Sequence, residues 1–269
     1  MTMSNRFQRL ELEESQQPTT PIPIARTVAV VEQRADLRDA PYWMSQAEGN
    51  RRRGEFEEAL RHYSRAVELE RSLVAGWVGQ VQMLIALAEY PEAELWARKA
   101  LELFRGHAEL TAARAHALCR KGDLKNAQAV CDAALAQPGL SAYPWMVRGD
   151  LMLARRDPVE EYCFDKAVQL ASDWLVLIEI AAIYLFYRRT AKALTRCRQA
   201  VERAPDQPYC WFQQGTCELA MGLKAPARKS FRQCLDLEPK HVGARAAMKE
   251  IDGDVRSIRG ALRRWFGGN

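Results

Sequence analysis

The chain has 269 residues, of which 48% are hydrophobic and 27% charged, with a formal net charge of +5. That composition is ordinary for a soluble protein, and a small positive excess spread among Arg–Glu neighbours is a solvated helix surface, which disfavours nucleic acid as a partner. At this length a single globule would sit near the upper limit for one hydrophobic core, a limit that an elongated repeat array escapes.

Residues 1–39 form an extended or disordered N-terminal segment. The opening MTMSNRFQRLELEES is polar and has no apolar stretch of the secretory kind. Pro18, Pro21 and Pro23 bar the run around them from helix. Ile22, Ile24, Val28, Val30 and Val31 follow as an apolar run that can dock as a strand, so residues 20–31 are either a tail or a docking peptide.

From residue 40 the chain keeps a fixed interval. Trp43 and Trp77 are 34 residues apart, Trp145 lies 68 beyond Trp77, and Trp211 lies 66 beyond that. Ala66, Ala100, Ala134, Ala167, Ala200 and Cys234 keep the same time, as do Ala59, Ala93, Ala127, Ala193 and Ala227 with one beat skipped. Self-similarity at such a period is the signature of a solenoid. Small residues let paired helices approach closely, aromatics fill the gap, and no pair can bury its apolar face without its neighbours.

At these residues the chain resembles the tetratricopeptide-repeat (TPR) family. Trp211, Gly215, Gly222, Ala227, Phe231, Cys234 and Pro239 carry the resemblance most fully, followed by Trp43, Ala47, Gly54, Phe56, Ala59, Tyr63 and Ala66. The resemblance implies an all-α, right-handed α-solenoid of helix hairpins in six units: 40–73, 74–107, 108–141, 142–173, 174–207 and 208–241. Thr111 and Leu177 replace the tryptophan in the third and fifth units, and the fourth is two residues short, with Glu160 near its expected alanine.

Gly54 and Gly122 suit positive φ at the end of a first helix, and Asp123 suits an N-cap. Asp157-Pro158 reads as N-cap and first helical residue of the fourth unit's second helix. Beyond the sixth unit, 242–251 reads as a capping helix. Gly253 then breaks the chain before 254–266, where Val255, Ile258, Leu262, Trp265 and Phe266 alternate with four arginines. Such a basic amphipathic helix can fold back on the solenoid or touch an anionic membrane.

In the family, first helices line the concave face. Carried onto this chain, that places Met44, Val78, Met146, Leu153, Leu175, Ile178, Leu185, Phe186, Tyr209 and Phe212 in a partner-binding groove, with Arg51, Arg52, His116, Arg120 and Asp150 as a polar rim. The groove lacks the Lys and Asn pattern with which family members grip carboxylate tails, so chaperone-tail binding is disfavoured. The run Trp174–Tyr187 is apolar nearly all round and should be covered on both sides. The cover would be a partner's apolar peptide or helix, residues 20–31, the C-terminal helix 254–266, or neighbouring first helices in a tight superhelix.

No phosphate loop, metal-ligand spacing or nucleophile motif occurs, so neither catalysis, a metal nor a cofactor is expected. The seven cysteines form no CxxC pair, and three of them, Cys131, Cys197 and Cys234, fall on core beats, which points to a reducing, cytoplasmic setting. The expected role is a non-catalytic protein–protein interaction scaffold or adaptor. The alternatives are a chaperone for an aggregation-prone client and a structural subunit of a larger assembly.

Overall fold

A computed structural model describes residues 38–139 and 141–252, and every regular element among them is a helix. The N-terminal docking run and the basic C-terminal helix expected from sequence lie outside the described residues. Six hairpins follow one another: α1 (Ala40–Arg52) with α2 (Phe56–Leu69), α3 (Val74–Ala86) with α4 (Tyr90–Leu103), α5 (Ala108–Arg120) with α6 (Leu124–Leu135), α7 (Ala142–Arg155) with α8 (Glu160–Leu170), α9 (Trp174–Phe186) with α10 (Thr190–Arg203), and α11 (Pro208–Ala220) with α12 (Lys224–Leu237). A single helix, α13 (Val242–Asp252), packs on α12 and closes the described chain.

The ends of these helices are set locally. Asp39 caps α1 by accepting from the Tyr42 amide at 2.9 Å, and Asp123 caps α6 by accepting from the Asn126 amide at 3.3 Å. Gly54 and Gly122 sit at φ +75° and +85°, where a side chain would be strained. In the fourth hairpin Arg156 takes that left-handed turn at φ 59°. The Asp157-Pro158 reading needs correcting here: α8 starts at Glu160, and Asp157 bonds the Val159 amide at 3.1 Å inside the turn. The missing residues are taken from the second helix, which has 11 residues where α2, α4, α10 and α12 have 14.

Packing follows the small–large rule of the repeat. Ala47 and Ala59 are fully buried against Tyr63, and Ala66, Ala93, Ala100, Ala127, Ala134, Ala193, Ala200 and Ala227 are as buried in their own hairpins. Gly149 and Gly215 are small for a further reason. A Cβ on either would stand 2.3 Å from the Phe164 ring or 2.8 Å from the Phe231 ring, so the absence of a side chain is what admits the aromatic. Trp77 and Val78 join Val67, Ala100 and Leu110 in a core that runs through three successive hairpins.

The array also curls back on itself. Arg51 and Arg52, at the end of α1, are ion-paired to Glu179 of α9 and Asp173 just before it, partners more than 120 residues away in sequence. In the next turn, Gly54 lies so close to Tyr209 of α11 that an added Cβ would stand 2.3 Å from its ring. The first hairpin therefore meets the fifth and the sixth. Gly54 and Gly122 separate the two costs. Gly54→Ala carries both the left-handed strain of about 1 kcal/mol and the clash with Tyr209. Gly122→Ala carries the strain alone, since nothing lies within 4 Å of its added Cβ. Thermal unfolding followed by circular dichroism should show the larger fall in Tm for Gly54→Ala, by several degrees; equal falls would mean that the Tyr209 contact contributes nothing.

Candidate functional site

The site is built around α9, whose sequence WLVLIEIAAIYLF has one charged residue. A helix without a polar face must be covered on all sides, and Trp174, Leu175, Val176, Leu177, Ile178, Ile180, Ala181, Ile183 and Tyr184 are all buried. The covering surfaces come from six helices, α11 among them. α10 is its hairpin partner. Phe164 of α8 meets Tyr184 edge to face at 5.1 Å between centroids. The Arg52 guanidinium of α1 lies 5.5 Å from the Trp174 ring, and that of Arg120 in α5 lies 3.9 Å from the Phe186 ring. Tyr187, just past the helix, donates to the Asp150 carbonyl of α7 at 3.3 Å.

The two ends of α9 are held by different electrostatics. At the N-terminal end Arg51 Nε donates to Glu179 Oε1 at 3.1 Å, and Arg52 Nη1 donates to Asp173 Oδ1 at 3.3 Å. Glu48 lies 3.7 Å from Arg51 and accepts from the Tyr63 hydroxyl at 2.7 Å. Burial alone would lower the Arg51 pKa. Glu179, then Tyr63 and Glu48, outweigh it and leave the guanidinium held more firmly charged than usual.

At the C-terminal end a buried network centres on Asp150, which has no exposed surface. Arg120 reaches it with Nε to Oδ2 at 3.1 Å and Nη2 to Oδ1 at 3.0 Å, a two-pronged charge pair. His116 Nδ1 shares a hydrogen bond with the Tyr143 hydroxyl at 3.1 Å, and Nε2 lies 3.4 Å from Asp150 Oδ2. Burial pushes the His116 pKa down to about 4, with Asp150 opposing and Arg120 reinforcing the shift. Burial likewise raises the Tyr143 hydroxyl well above its ordinary value.

Between these ends a cavity of about 400 Å³ remains. Met44, Val78, Met146 and Leu175 give it an apolar floor, and Glu48, Arg51, Glu109, Asp173 and Glu179 give it a charged wall. Ala75 and Ala142 stand at its edge. The Gln82 Oε1 and Ser141 Oγ atoms, on residues that also line it, have no protein hydrogen-bond partner.

The positions named from sequence fall into two groups. The apolar positions are not a free surface: Val78, Met146, Leu175, Ile178, Tyr209 and Phe212 are buried, Met44, Leu153 and Leu185 are half-buried, and only Phe186, 46% exposed, faces solvent. Of the covers expected from sequence, the array's own neighbouring helices supply this one around α9, and Phe231 and His241 pack on Phe212. The five polar positions are not one rim either. Asp150, Arg120 and His116 are an interior network, while Arg51 and Arg52 bridge the first hairpin to the fifth. Sequence reading did not single out Glu179 as the partner of Arg51; the lone glutamate in an otherwise apolar helix was the available signal. Among the described residues no three His, Cys, Asp or Glu side chains gather as metal ligands would, and no helix is long and apolar enough to cross a membrane.

A family model described as tetratricopeptide repeat matches residues 208–241, and the same hairpin geometry recurs through all six pairs. The chain thus carries a tetratricopeptide repeat at 208–241, and its fold is an all-α solenoid of such hairpins. No curated protein sequence matches it. Among solved structures, a thermophilic TPR protein of Thermus thermophilus superimposes with a TM-score of 0.51 at 17% identity, over 67% of this chain and 99% of that one. A TPR protein from Parabacteroides merdae gives 0.49 at 17% identity, over 82% and 87%. The Cut9–Hcn1 hetero-tetramer of the APC/C gives 0.47 at 14% identity over 81% of this chain, which spans 44% of the length of that one. At 17% identity the likeness to the Thermus protein is one of fold.

The His116 environment gives this chain a defined pH response. A histidine held below its ordinary 6.5, near 4, binds a proton in the unfolded chain before it does in the folded one. Its contribution is therefore fully present above about 6.5 and lost as pH falls toward 4. The ceiling is on the order of 3 kcal/mol. Urea unfolding at pH 7 and pH 5 should show this loss, and His116→Asn should flatten the difference; an unchanged slope would mean that other groups govern the acid response.

Proposed function

We propose that this TPR chain is a non-catalytic scaffold that captures an apolar peptide or helix in the concave space enclosed by its first helices, acting as a cytoplasmic adaptor. The observation that carries the reading is the cavity of about 400 Å³ with Met44, Val78, Met146 and Leu175 at its floor. TPR folds in general mediate protein–protein interaction, and that supports the coarse part of the reading. The finer part rests on the chemistry of the lining. Apolar side chains already fixed by packing lose little entropy when a partner arrives. The carboxylates around them can take N–H donors from a peptide backbone or a basic side chain. Seven buried free thiols fit a reducing compartment.

The test uses a photo-crosslinking residue at Ala75, which is exposed and lines the cavity, and at Lys125, which is exposed on α6 and does not line it. Adducts formed in cells at Ala75, absent at Lys125 and mapping to apolar segments of the partner, are expected. Ala75→Trp, which fills the cavity edge without touching the core, should abolish partner capture by a crosslinker moved to Ala142. Equal adducts at Ala75 and Lys125, or capture that survives Ala75→Trp, would overturn the reading.

A further inference from the structure

We infer that hairpins 5 and 6 form an arm that folds over hairpins 1 to 4 and is held shut by a clasp, Arg51 and Arg52 on Glu179 and Asp173. The clasp joins residues brought together only by closure, since they are 128 and 121 positions apart. Its charges are partly exposed: the Arg52 and Asp173 side chains are 37% and 36% accessible, and those of Arg51 and Glu179 are 17% and 27%. The Arg52 pair lies at the surface, where ion pairs are weak and can be outcompeted, and the Arg51 pair is the half-buried, firmer part of the clasp.

The opposite side of the arm has the character of a hinge. Three residues, 171–173, connect α8 to α9, with Ala171 in extended backbone at φ −127°, ψ 119°. The second helices α2, α4, α6 and α10 pack broadly on the first helix that follows each of them, but α8 meets α9 over only a few residues. The shortened α8 leaves an open cleft of about 570 Å³ beside α10, lined by Asp165, Gln169, Arg196, Gln199 and Arg203. The bridges across it are polar: Arg196 to Asp165 at 2.8 Å, Lys192 to Glu160 at 2.8 Å, and Arg203 to the Ser172 carbonyl at 3.3 Å. Beside the buried Phe164–Tyr184 contact the seam is wet and ion-paired, whereas the broader packing of α9 on α10 and of α10 on α11 keeps the arm one body.

Closure hides the N-terminal half of α9 and the side chains of Val78 and Met146, so the free chain rests shut. An apolar segment that binds only the open form shifts the balance by its differential affinity. The inference stands on the closure geometry and not on what the cavity binds, and its test contains no partner.

Hydrogen exchange by mass spectrometry on the full chain supplies that test. Arg51→Glu places a carboxylate against Glu48 and Glu179, and α9 to α11 should then exchange roughly ten-fold faster, the loss that a broken and partly repelling ion-pair set represents. Exchange in α3 to α6 should stay as it was. Adding Glu179→Arg should restore protection, and Arg61→Glu, on a surface pair with Glu58, should have no such effect. Unchanged exchange in α9, equal acceleration in α3 to α6, or no rescue by the swap would each overturn the arm. Should Arg51→Glu not fold, native-state exchange of the unaltered chain at low denaturant decides. The inference requires α9 to α12 to open as a block before α3 to α6, and simultaneous opening refutes it.

Discussion

An apolar helix that has no solvent face dictates much of this architecture. In an open TPR array each first helix keeps one side toward the concave space, and α9 has nothing suitable to show there. Each large aliphatic side chain left in water would forgo roughly 1.5–3 kcal/mol, and α9 carries six leucines, isoleucines and valines over its first ten residues. The array resolves the conflict by curling until α1, α5 and α7 reach α9, so the surface that would have been a free trough becomes interior.

Curling brings charge inward, and the chain balances it in two ways. Where solvent still reaches, Arg51 and Arg52 are paired with Glu179 and Asp173, and a modest interaction suffices. Where solvent is excluded, Asp150 is met by two nitrogens of Arg120, with His116 kept neutral beside it and Tyr143 and Tyr187 completing the surroundings. Removing one member of such a buried pair costs more than removing both, because the survivor keeps its desolvation penalty without its partner. The two sets thus divide the labour, the interior one fixing α5 against α7 and the outer one joining the first hairpin to the fifth.

The sequence made the local rules legible because each acts within one repeat. Ala59, Ala93 and Ala127 mark close approach, Gly54 and Gly122 mark left-handed turns, and Asp123 marks a cap, all through neighbours a few residues away. It made the need for a cover around Trp174–Tyr187 legible too, since that follows from composition. It left open which cover that is, because the partners that join across the array, such as Arg51 and Glu179, are 128 positions apart and nothing local pairs them. Asp157-Pro158 misled for a different reason: the motif marks the turn correctly, but the shortened hairpin spends the next two residues finishing that turn before α8 begins.

An array whose first hairpin touches its fifth is no longer a one-dimensional object. In an open solenoid, units can be shaved from either end and the remainder loses only one interface, so stability adds along the chain. Here the tip of α1 shields a helix near the other end, and shearing off the opening hairpin would strip α9 a hundred residues away. The same long-range closure must be found during folding, after the local hairpins have formed. That places this chain nearer to a closed barrel than to a string of beads in the order and speed with which its last contacts are made.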